Sequence, residues 1–414
     1  MVTGNRELMC NVVDAPCGAG KTSAAINFIN SSPEESRFLF VTPFLDEASR
    51  IKASCPGRCF EQPDYIQSGS KFMDIKRLFR KGANIVSTHA LFRKFDAEIL
   101  RYISDNHYTL IMDEVTSVLE PMKITRSDRD LLTDTCVRIN EENGQIIWDN
   151  DGYINGKLQA YKNLCLNRRV VTYDGLTWLW VFPIETFTAF KDIYILTYMF
   201  DAQIQKCYYD YYGLQYRYLN VRKEIVDGDA RYSFTTNHVN YHTEAYKSLI
   251  DIVESEKLNS IGDDKYALSV GWYEKAAPED FKRLKRNSYN FIRNIAHAKS
   301  KECLWTTFKK NRECIEQKGF TRSFISISAR STNKYADRKA AAYLANKFVN
   351  PHIKNFFQNQ GIEFDEDKYA LSELIQWIWR TRIRNGEPIA LYIPSSRMRG
   401  LLKTWLEGEK INNL

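Results

Sequence analysis

The residues with the clearest chemical use form a glycine-rich segment at 15–22, APCGAGKT, which we call the phosphate loop. Gly18 and Gly20 allow successive backbone N–H groups to turn inward around a phosphate. Lys21 would reach the β- and γ-phosphates of a nucleotide, and the Thr22 hydroxyl would bind Mg²⁺. A helix that begins here points its positive dipole end at the same anion. The pattern predicts that the nucleotide is bound by Ala15, Pro16, Cys17, Gly18, Ala19, Gly20, Lys21, Thr22 and Ser23.

Two adjacent carboxylates, Asp113 and Glu114, which we call the acidic pair, follow an apolar run at 108–112. We expect Asp113 to hold Mg²⁺ through water and Glu114 to polarise the attacking water. A solvated pair at the end of a strand is the alternative, but an apolar run that ends in two carboxylates is hard to explain as surface. The phosphate loop and the acidic pair together predict hydrolysis of a nucleoside triphosphate. Replacing Lys21 with Ala should abolish that turnover.

Alternating strands and helices must position these groups. Continuous apolar runs predict buried strands at 8–13, 38–41, 85–87, 108–112 and 193–197. Helices are expected between them, at 23–30, 46–54 and 70–81. Such runs suit a parallel sheet that is covered on both faces, with function at the carboxyl ends of its strands. The fold class expected is therefore α/β, with parallel sheets flanked by helices.

The rest of the chain predicts a second domain. An Asn/Asp/Gly-rich stretch at 140–156 reads as an inserted hairpin, and a tyrosine-rich stretch at 207–242 as the connection between domains 1–206 and 243–414. Strands are expected in the second domain at 266–270, 324–329 and 389–393. Helices are expected there at 335–349, 353–359 and 371–384.

Composition excludes several classes of protein. The chain has 414 residues and is 44% hydrophobic and 26% charged, which is typical of a folded globular protein. No apolar run reaches the ~18 residues of a membrane span, and no signal segment opens the chain, so we expect a cytoplasmic protein without a membrane partner. The nine cysteines are odd in number and scattered, which argues against the disulfide framework of a secreted protein. The cysteine pair in CPGRC at 55–59 has no matching second pair, which argues against a zinc site.

Charge is divided unevenly along the chain. Residues 271–414 carry 27 Lys/Arg against 15 Asp/Glu, which is a net charge of +12. Because the whole chain has a net charge of +7, residues 1–270 carry −5. A basic cluster at 281–310 is interleaved with aromatic residues, and it includes Lys282, Arg283, Lys285 and Arg286. Cations neutralise phosphates and aromatic rings stack on single-stranded bases, so we expect sequence-independent binding that weakens steeply with salt. A solvated helix face, with the aromatic residues in the core, is the alternative.

Further motifs resemble superfamily 2 helicases in the order which that family requires. The phosphate loop is similar to A-x-x-G-x-G-K-T and DEVT at 113–116 to D-E-x-x, although Ala15 departs from the stricter pattern that begins with Gly. The segment 40–48 resembles motif Ia and 87–92 resembles T-H-x-x-F, which implies nucleic-acid contacts through Thr42, Pro43, Thr88 and His89. In LTY at 196–198, Thr197 alone matches the coupling motif S-A-T.

The second domain carries the later motifs of that family. The segment 328–333 looks like motif V and implies nucleic-acid contacts through Arg330, Thr332 and Asn333. QWIWR at 376–380 resembles Q-x-x-G-R of motif VI, with Trp379 in place of the glycine. The later arginines fall two and four residues after Arg380 and not three, so either Arg382 or Arg384 could be the second arginine of the motif. If a helix continues through this motif, Gln376, Arg380 and Arg384 share one face at the nucleotide, which favours Arg384. A basic solvated face is the alternative.

The resemblance implies two RecA-like P-loop NTPase domains in tandem that use ATP and Mg²⁺ on single-stranded or forked DNA. It extends, in style, to bacteriophage-encoded helicase-like proteins, and a replication or loading protein is a possible partner. No adenine-recognition segment precedes the phosphate loop, so ATP over GTP rests on the resemblance. Two other hypotheses stay open: a terminase-like packaging ATPase, and a nucleotide-dependent remodeller of a protein partner. DNA stimulation of ATPase activity and metal-dependent DNA cleavage would distinguish the three.

Overall fold

The computed structural model describes residues 8–43, 45–66, 68–153, 156–327 and 333–408. The strands are β1 (Met9–Asp14), β2 (Phe38–Thr42), β3 (Ile85–Thr88), β4 (Thr109–Asp113), β5 (Leu119–Pro121), β6 (Val137–Ile139), β7 (Ile146–Trp148), β8 (Val170–Thr172), β9 (Trp178–Val181), β10 (Asp192–Thr197), β11 (Gln215–Val226), β12 (Asp229–Thr235), β13 (Ile250–Ile252), β14 (Cys303–Thr306), β15 (Ala340–Tyr343) and β16 (Ile389–Tyr392). The helices are α1 (Lys21–Ser31), α2 (Leu45–Ser54), α3 (Lys71–Lys81), α4 (His89–Phe92), α5 (Ala97–Asp105), α6 (Arg126–Thr135), α7 (Gln159–Leu166), α8 (Glu185–Thr188), α9 (Ile204–Tyr212), α10 (Glu256–Asn259), α11 (Val270–Lys275), α12 (Pro278–Asn290), α13 (Arg312–Ile315), α14 (Pro351–Asn359), α15 (Glu366–Ile378) and α16 (Ser396–Leu406).

The main sheet has the strand order β12-β11-β1-β10-β4-β2-β3, and its neighbours are parallel except for the β11–β12 hairpin. Every residue of β2 and β4 is buried, which explains why both read as continuous apolar runs in the sequence. The five strands and three helices predicted for this part of the chain are all confirmed. The predicted fold class, α/β with parallel sheets flanked by helices, is confirmed as well.

Strand register brings the carboxyl ends of five strands to one edge of the main sheet. Asp14 of β1 is paired with Thr197 of β10, and Asp113 of β4 with Leu196 of β10. On the other side of β4, Thr42 of β2 is paired with Thr88 of β3. This edge is where a parallel α/β sheet binds its ligands.

A small module lies between β4 and β10 in the sequence. It contains an antiparallel sheet of order β5-β9-β8 and a hairpin of β6 and β7, which corresponds to the hairpin predicted at 140–156. The module has its own apolar core, which includes Leu132, Ile146, Val170 and Trp178.

The second sheet has the order β13-β16-β15-β14 and is parallel throughout. The strand predicted at 389–393 is confirmed as β16, and the helix at 353–359 as α14. The strand prediction at 266–270 is wrong, because that segment is a turn that leads into α11. The prediction at 324–329 is wrong where it is described, since 324–327 makes only an isolated bridge between Phe324 and Trp305, and the remainder lies outside the described residues.

The helix predicted at 335–349 is also wrong, because its centre forms β15. Three successive alanines favour a helix by intrinsic propensity. All four residues of β15 are nevertheless buried, and the strand is hydrogen-bonded between β14 and β16. Burial on both faces of a sheet outweighs the propensity, which is less than ~1 kcal/mol per residue.

Helix α15 begins earlier and ends earlier than the predicted 371–384. The Asp365 side chain caps its first turn by accepting hydrogen bonds from two backbone N–H groups, and the helix ends at Ile378. The Thr381 hydroxyl donates to the Ile378 carbonyl oxygen at 2.7 Å, and a separate 3₁₀ turn follows at Arg382–Asn385. The expected alignment of Gln376, Arg380 and Arg384 on one helix face is therefore wrong.

Contacts divide the chain into two compact units. The first comprises the chain up to Ala15, Gly20–Val239 and Asn350–Phe364, and the second comprises Pro16–Ala19, Asn240–Val349 and the chain from Asp365 onward. The tyrosine-rich stretch at 207–242 supplies the end of α9 and the β11–β12 hairpin to the first unit. Tyr208 and Tyr209 are 1% or less exposed, so they are packing residues. Among the residues described, no helix combines the length and apolar content needed to cross a membrane.

Candidate nucleotide site

The phosphate loop joins β1 directly to α1. Gly18 and Gly20 have φ angles of +85° and +91°, in the left-handed region that glycine adopts without strain. Helix α1 begins at Lys21, so the N–H groups of its first turn and its positive dipole end lie at the loop. The Lys21 ammonium donates to the Ala15 carbonyl oxygen at 2.5 Å, which folds the side chain back across the loop. The local backbone therefore has the form that binds a phosphate.

The acidic pair lies at the carboxyl end of β4, with β10 between it and the strand that carries the phosphate loop. Glu114 has a φ of +67°, and its backbone N–H donates to the Leu196 carbonyl oxygen at 2.9 Å. A side chain other than glycine costs about 1–2 kcal/mol in this backbone region. The resulting turn places both carboxylates at the sheet edge despite this cost.

The environment of Asp113 opposes its negative charge. Burial, together with the charges of Glu114 and Glu47, raises the pKa of Asp113 to about 7, and Lys21 and Arg50 oppose that shift. The ring of His89 lies beside the same residue, with its Nε2 2.9 Å from the Asp113 carbonyl oxygen. A cation bound at Asp113 would relieve the repulsion within the acidic pair.

Several buried oxygens at this edge make no hydrogen bond within the described part of the chain. They are Glu114 Oε2 and the side-chain oxygens of Thr42, Ser87, Thr116 and Thr197. Buried polar atoms are almost always paired, so such a group at one edge indicates that a polar ligand or ordered water completes it. Carboxylate and hydroxyl oxygens are the donors that Mg²⁺ prefers, and this donor set fits a magnesium nucleotide.

Asp14 is a site residue that the sequence analysis missed. Its two carboxylate oxygens accept hydrogen bonds from the backbone N–H groups of Met199 and Phe200, at 2.8 and 2.9 Å. Burial raises the pKa of Asp14 to about 6, while those two N–H groups and Lys21 favour the charged form. Asp14 thus braces the segment after β10 against the start of the phosphate loop. The sequence pattern that could have identified Asp14 is an acidic residue directly after an apolar run, as at Asp113.

Gln205 and Tyr232 were missed too, and no local pattern marks either of them. Gln205, 1% exposed on α9, accepts a hydrogen bond from the Thr116 N–H at 2.8 Å, two residues after the acidic pair. Tyr232 lies on β12, with its ring directly against Gly20. Both residues reach the site through packing between distant parts of the chain.

The residues expected to contact nucleic acid are distributed over both units. Thr42 is 1% exposed, while Pro43, Thr88 and His89 are partly exposed near the site edge. The Thr88 side chain caps α4 by accepting from the Leu91 N–H. Arg330 and Thr332 lie outside the described residues, and Asn333 begins a 3₁₀ turn.

The basic cluster lies mainly on α12 of the second unit. Lys282 and Arg286 are exposed, Lys285 is partly exposed, and Arg283 donates to the Ser260 hydroxyl at 2.5 Å. Its aromatic residues divide, because Phe291 and Trp305 are core residues while Tyr289 is 44% exposed. Stacking by Phe291 or Trp305 is therefore excluded by their burial.

The motif VI residues belong to the second unit and differ in exposure. Arg380 is 3% exposed, Gln376 is partly exposed and Arg384 is exposed. Trp379 packs edge-on against Tyr246, with ring centroids 4.7 Å apart. The Trp379 ring, which stands where motif VI of superfamily 2 helicases has glycine, thus packs in an aromatic cluster.

Comparisons with known proteins identify relatives along most of the chain. A family model described as the YonV C-terminal Rossmann-like domain matches residues 244–406, and one described as the YonV middle domain matches 119–180. A relative from Bacillus subtilis (strain 168), the SPbeta prophage-derived uncharacterized protein YonV, is 40% identical over 413 residues. The match covers 96% of this chain and 99% of that protein.

One solved structure shows the same fold at low sequence identity, and a second aligns more weakly. The structure named XPD_APO aligns with a TM-score of 0.52 and 11% identity, over 98% of this chain and 96% of that one. The DUF1998 helicase MrfA bound to DNA and AMPPNP aligns with a TM-score of 0.35 and 9% identity, over 97% of this chain and 48% of that one. The likeness to XPD_APO shows the fold alone.

Proposed function

The chain belongs to the YonV family, and we propose that it is an ATP-dependent helicase or translocase that acts on nucleic acid, most simply DNA. The observation that carries the proposal is that β1, which leads into the phosphate loop, and β4, which leads into the acidic pair, end at the same edge of the main sheet. The register Asp14–Thr197 and Leu196–Asp113 supports it, because β10 alone separates the two motifs. The prophage origin of the relative fits the resemblance to bacteriophage-encoded proteins.

The chain's own residues would divide the reaction between them. Backbone N–H groups of the phosphate loop and Lys21 would bind the phosphates, and Glu114 would orient the attacking water. The partnerless Oε2 of Glu114 supports that role, since the oxygen is buried and able to accept a proton or a hydrogen bond. By resemblance to motif VI, Arg380 and Gln376 would stabilise charge on the transferring phosphoryl group, and either Arg382 or Arg384 would serve as the second arginine.

Thr22 and Asp113 would hold Mg²⁺, which when bound supplies positive charge next to the phosphate oxygens. The raised pKa of Asp113 supports this assignment. It shows that the surroundings destabilise the charged carboxylate, and a cation bound beside that carboxylate would stabilise it. Thr42, Pro43, Thr88 and His89 are proposed contacts to nucleic acid in the first unit. Lys282, Arg283, Lys285 and Arg286, with Arg330, Thr332 and Asn333, are proposed contacts in the second.

The test is the ATPase rate of the full chain, measured alone and with single-stranded DNA, double-stranded DNA or RNA. We expect magnesium-dependent hydrolysis that nucleic acid stimulates, and no turnover in Lys21→Ala. Undiminished turnover in that variant would contradict the nucleotide site. Turnover without any nucleic-acid stimulation would favour a remodeller of a protein partner, and metal-dependent DNA cleavage would favour a packaging ATPase.

A further inference from the structure

The β11–β12 hairpin reaches past the end of the strand that carries the phosphate loop. Strand β11 runs parallel to β1, and their pairing extends to Val13 opposite Leu219. Strand β11 then continues to Val226, so the hairpin rises beyond the carboxyl edge of the sheet. Tyr232 is paired with Lys223, four residues beyond Leu219, or about 13 Å at ~3.3 Å per residue. The hairpin therefore delivers Tyr232 to the level of the phosphate loop.

The Tyr232 ring lies directly against Gly20. A Cβ atom added to Gly20 would lie 2.3 Å from Cδ1 of Tyr232, so a side chain at position 20 would collide with the ring. Two further contacts hold this part of β12 in place, one with α1 and one with β10. Asn27 Nδ2 donates to the Tyr232 carbonyl oxygen at 2.9 Å, and the Phe234 ring stacks on Tyr194 at 5.4 Å and 18°. These contacts hold the stretch of β12 that carries Tyr232 against its neighbours.

The strand order gives the direction in which a bound nucleotide would extend. The acidic pair, which would lie at the γ-phosphate, is on β4, two strands from β1 on one side. The hairpin lies on the opposite side of β1. A triphosphate that directs its γ end toward the acidic pair directs its base away from it, toward β11 and β12. Tyr232 lies beside the phosphate loop on that side.

We propose that Tyr232 is the platform on which the base of the bound nucleotide stacks, an inference that rests on the proposed nucleotide site. The ring presents a π face of the kind on which any base stacks. The platform selects nucleotides over inorganic polyphosphate and discriminates little between bases, because every base has a π face.

The test compares two ligands, ATP and inorganic tripolyphosphate, by calorimetric titration of the full chain with Mg²⁺. Stacking is worth ~1–3 kcal/mol by alanine substitution, so Tyr232→Ala should weaken ATP binding by about five- to a hundredfold and leave tripolyphosphate within about twofold. Tyr232→Leu, which keeps bulk against Gly20, should also lose ATP affinity selectively, and Tyr232→Phe should retain it. Tyr65→Ala, at a tyrosine that is 65% exposed, is the matched control.

Each other outcome overturns the inference. Equal weakening of both ligands would mean that the ring only supports the shape of the phosphate loop. Tighter binding of both would mean that the ring obstructs it, and unchanged ATP affinity would mean that the base lies elsewhere. In these three cases the nucleotide site stands. If the unsubstituted protein binds neither ATP nor tripolyphosphate, the proposed nucleotide site is refuted, and the proposed stacking on Tyr232 is refuted with it.

Discussion

A buried hydrogen-bond chain holds the segment that follows the acidic pair, and Gln205→Met tests it. Gln205 accepts from the Thr116 N–H at 2.8 Å, and its Nε2 donates to the Tyr209 hydroxyl at 2.8 Å. The three residues are 1%, 4% and 0% exposed, so water does not replace a lost partner. Methionine matches glutamine closely in volume, and the substitution therefore removes hydrogen bonds with little change in packing.

The magnitude follows from the groups left behind. A buried N–H without an acceptor costs about 1–3 kcal/mol, and the Tyr209 oxygen that loses its donor adds up to about 1 kcal/mol. We expect Gln205→Met to lower the free energy of unfolding of the first unit by roughly 1–4 kcal/mol. Displacement of the Thr116 segment by about 1 Å should also slow ATP turnover by up to about a hundredfold, because the acidic pair would lose its alignment.

Tyr209→Phe is the matched control, since it removes the distal hydrogen bond and leaves the Thr116 contact in place. Urea unfolding should show a smaller loss of about 1 kcal/mol, with turnover near that of the unsubstituted protein. The double variant should be more stable than the sum of the single losses predicts, by about 1 kcal/mol, because the two residues share one bond. Stability of Gln205→Met within about 0.5 kcal/mol of the unsubstituted protein, or strictly additive losses, would refute the reasoning.

Two further predictions concern charged groups. Asp14 has a folded-state pKa of about 6 against an ordinary 3.8, so the folded protein holds this proton more tightly. Its stability relative to Asp14→Asn should fall by roughly 3 kcal/mol as the pH rises from about 4 to about 6, and a relative stability that rises over this range in urea titrations would contradict that sign. Arg380→Ala should slow hydrolysis at least tenfold while sparing ATP affinity, because its proposed target is charge that develops during transfer. Equal loss of both would identify Arg380 as a structural residue.

Local patterns were sufficient where burial and sequence agree. Each strand around the phosphate loop is a continuous apolar run, and Asp113 and Glu114 stand out because charge follows such a run directly. Prediction from the local pattern was wrong at Ala340–Tyr343, because the helical preference of alanine indicated a helix where the chain forms a central strand. It failed again after Ile378, because a side-chain hydrogen bond from Thr381 and the following turn cannot be read from periodicity.

The sequence pattern did not predict which residues from distant parts of the chain lie at the candidate site. Strand β11 joins β1 across about 200 residues, and nothing in its composition names that neighbour. Tyr232 therefore read as one member of a tyrosine-rich stretch, and Gln205 as an unremarked polar residue. Pairing between distant strands, more than local preference, decides which side chains complete the candidate site.

The left-handed backbone at Glu114 bears on how this sequence has been selected. Glycine would adopt a φ of +67° without strain, so selection for stability alone would favour glycine at this position. The chain instead retains a carboxylate that costs about 1–2 kcal/mol in conformation and raises the pKa of its neighbour Asp113. Position 114 thus combines an unfavourable backbone conformation with the carboxylate to which the proposed function assigns the orientation of the attacking water.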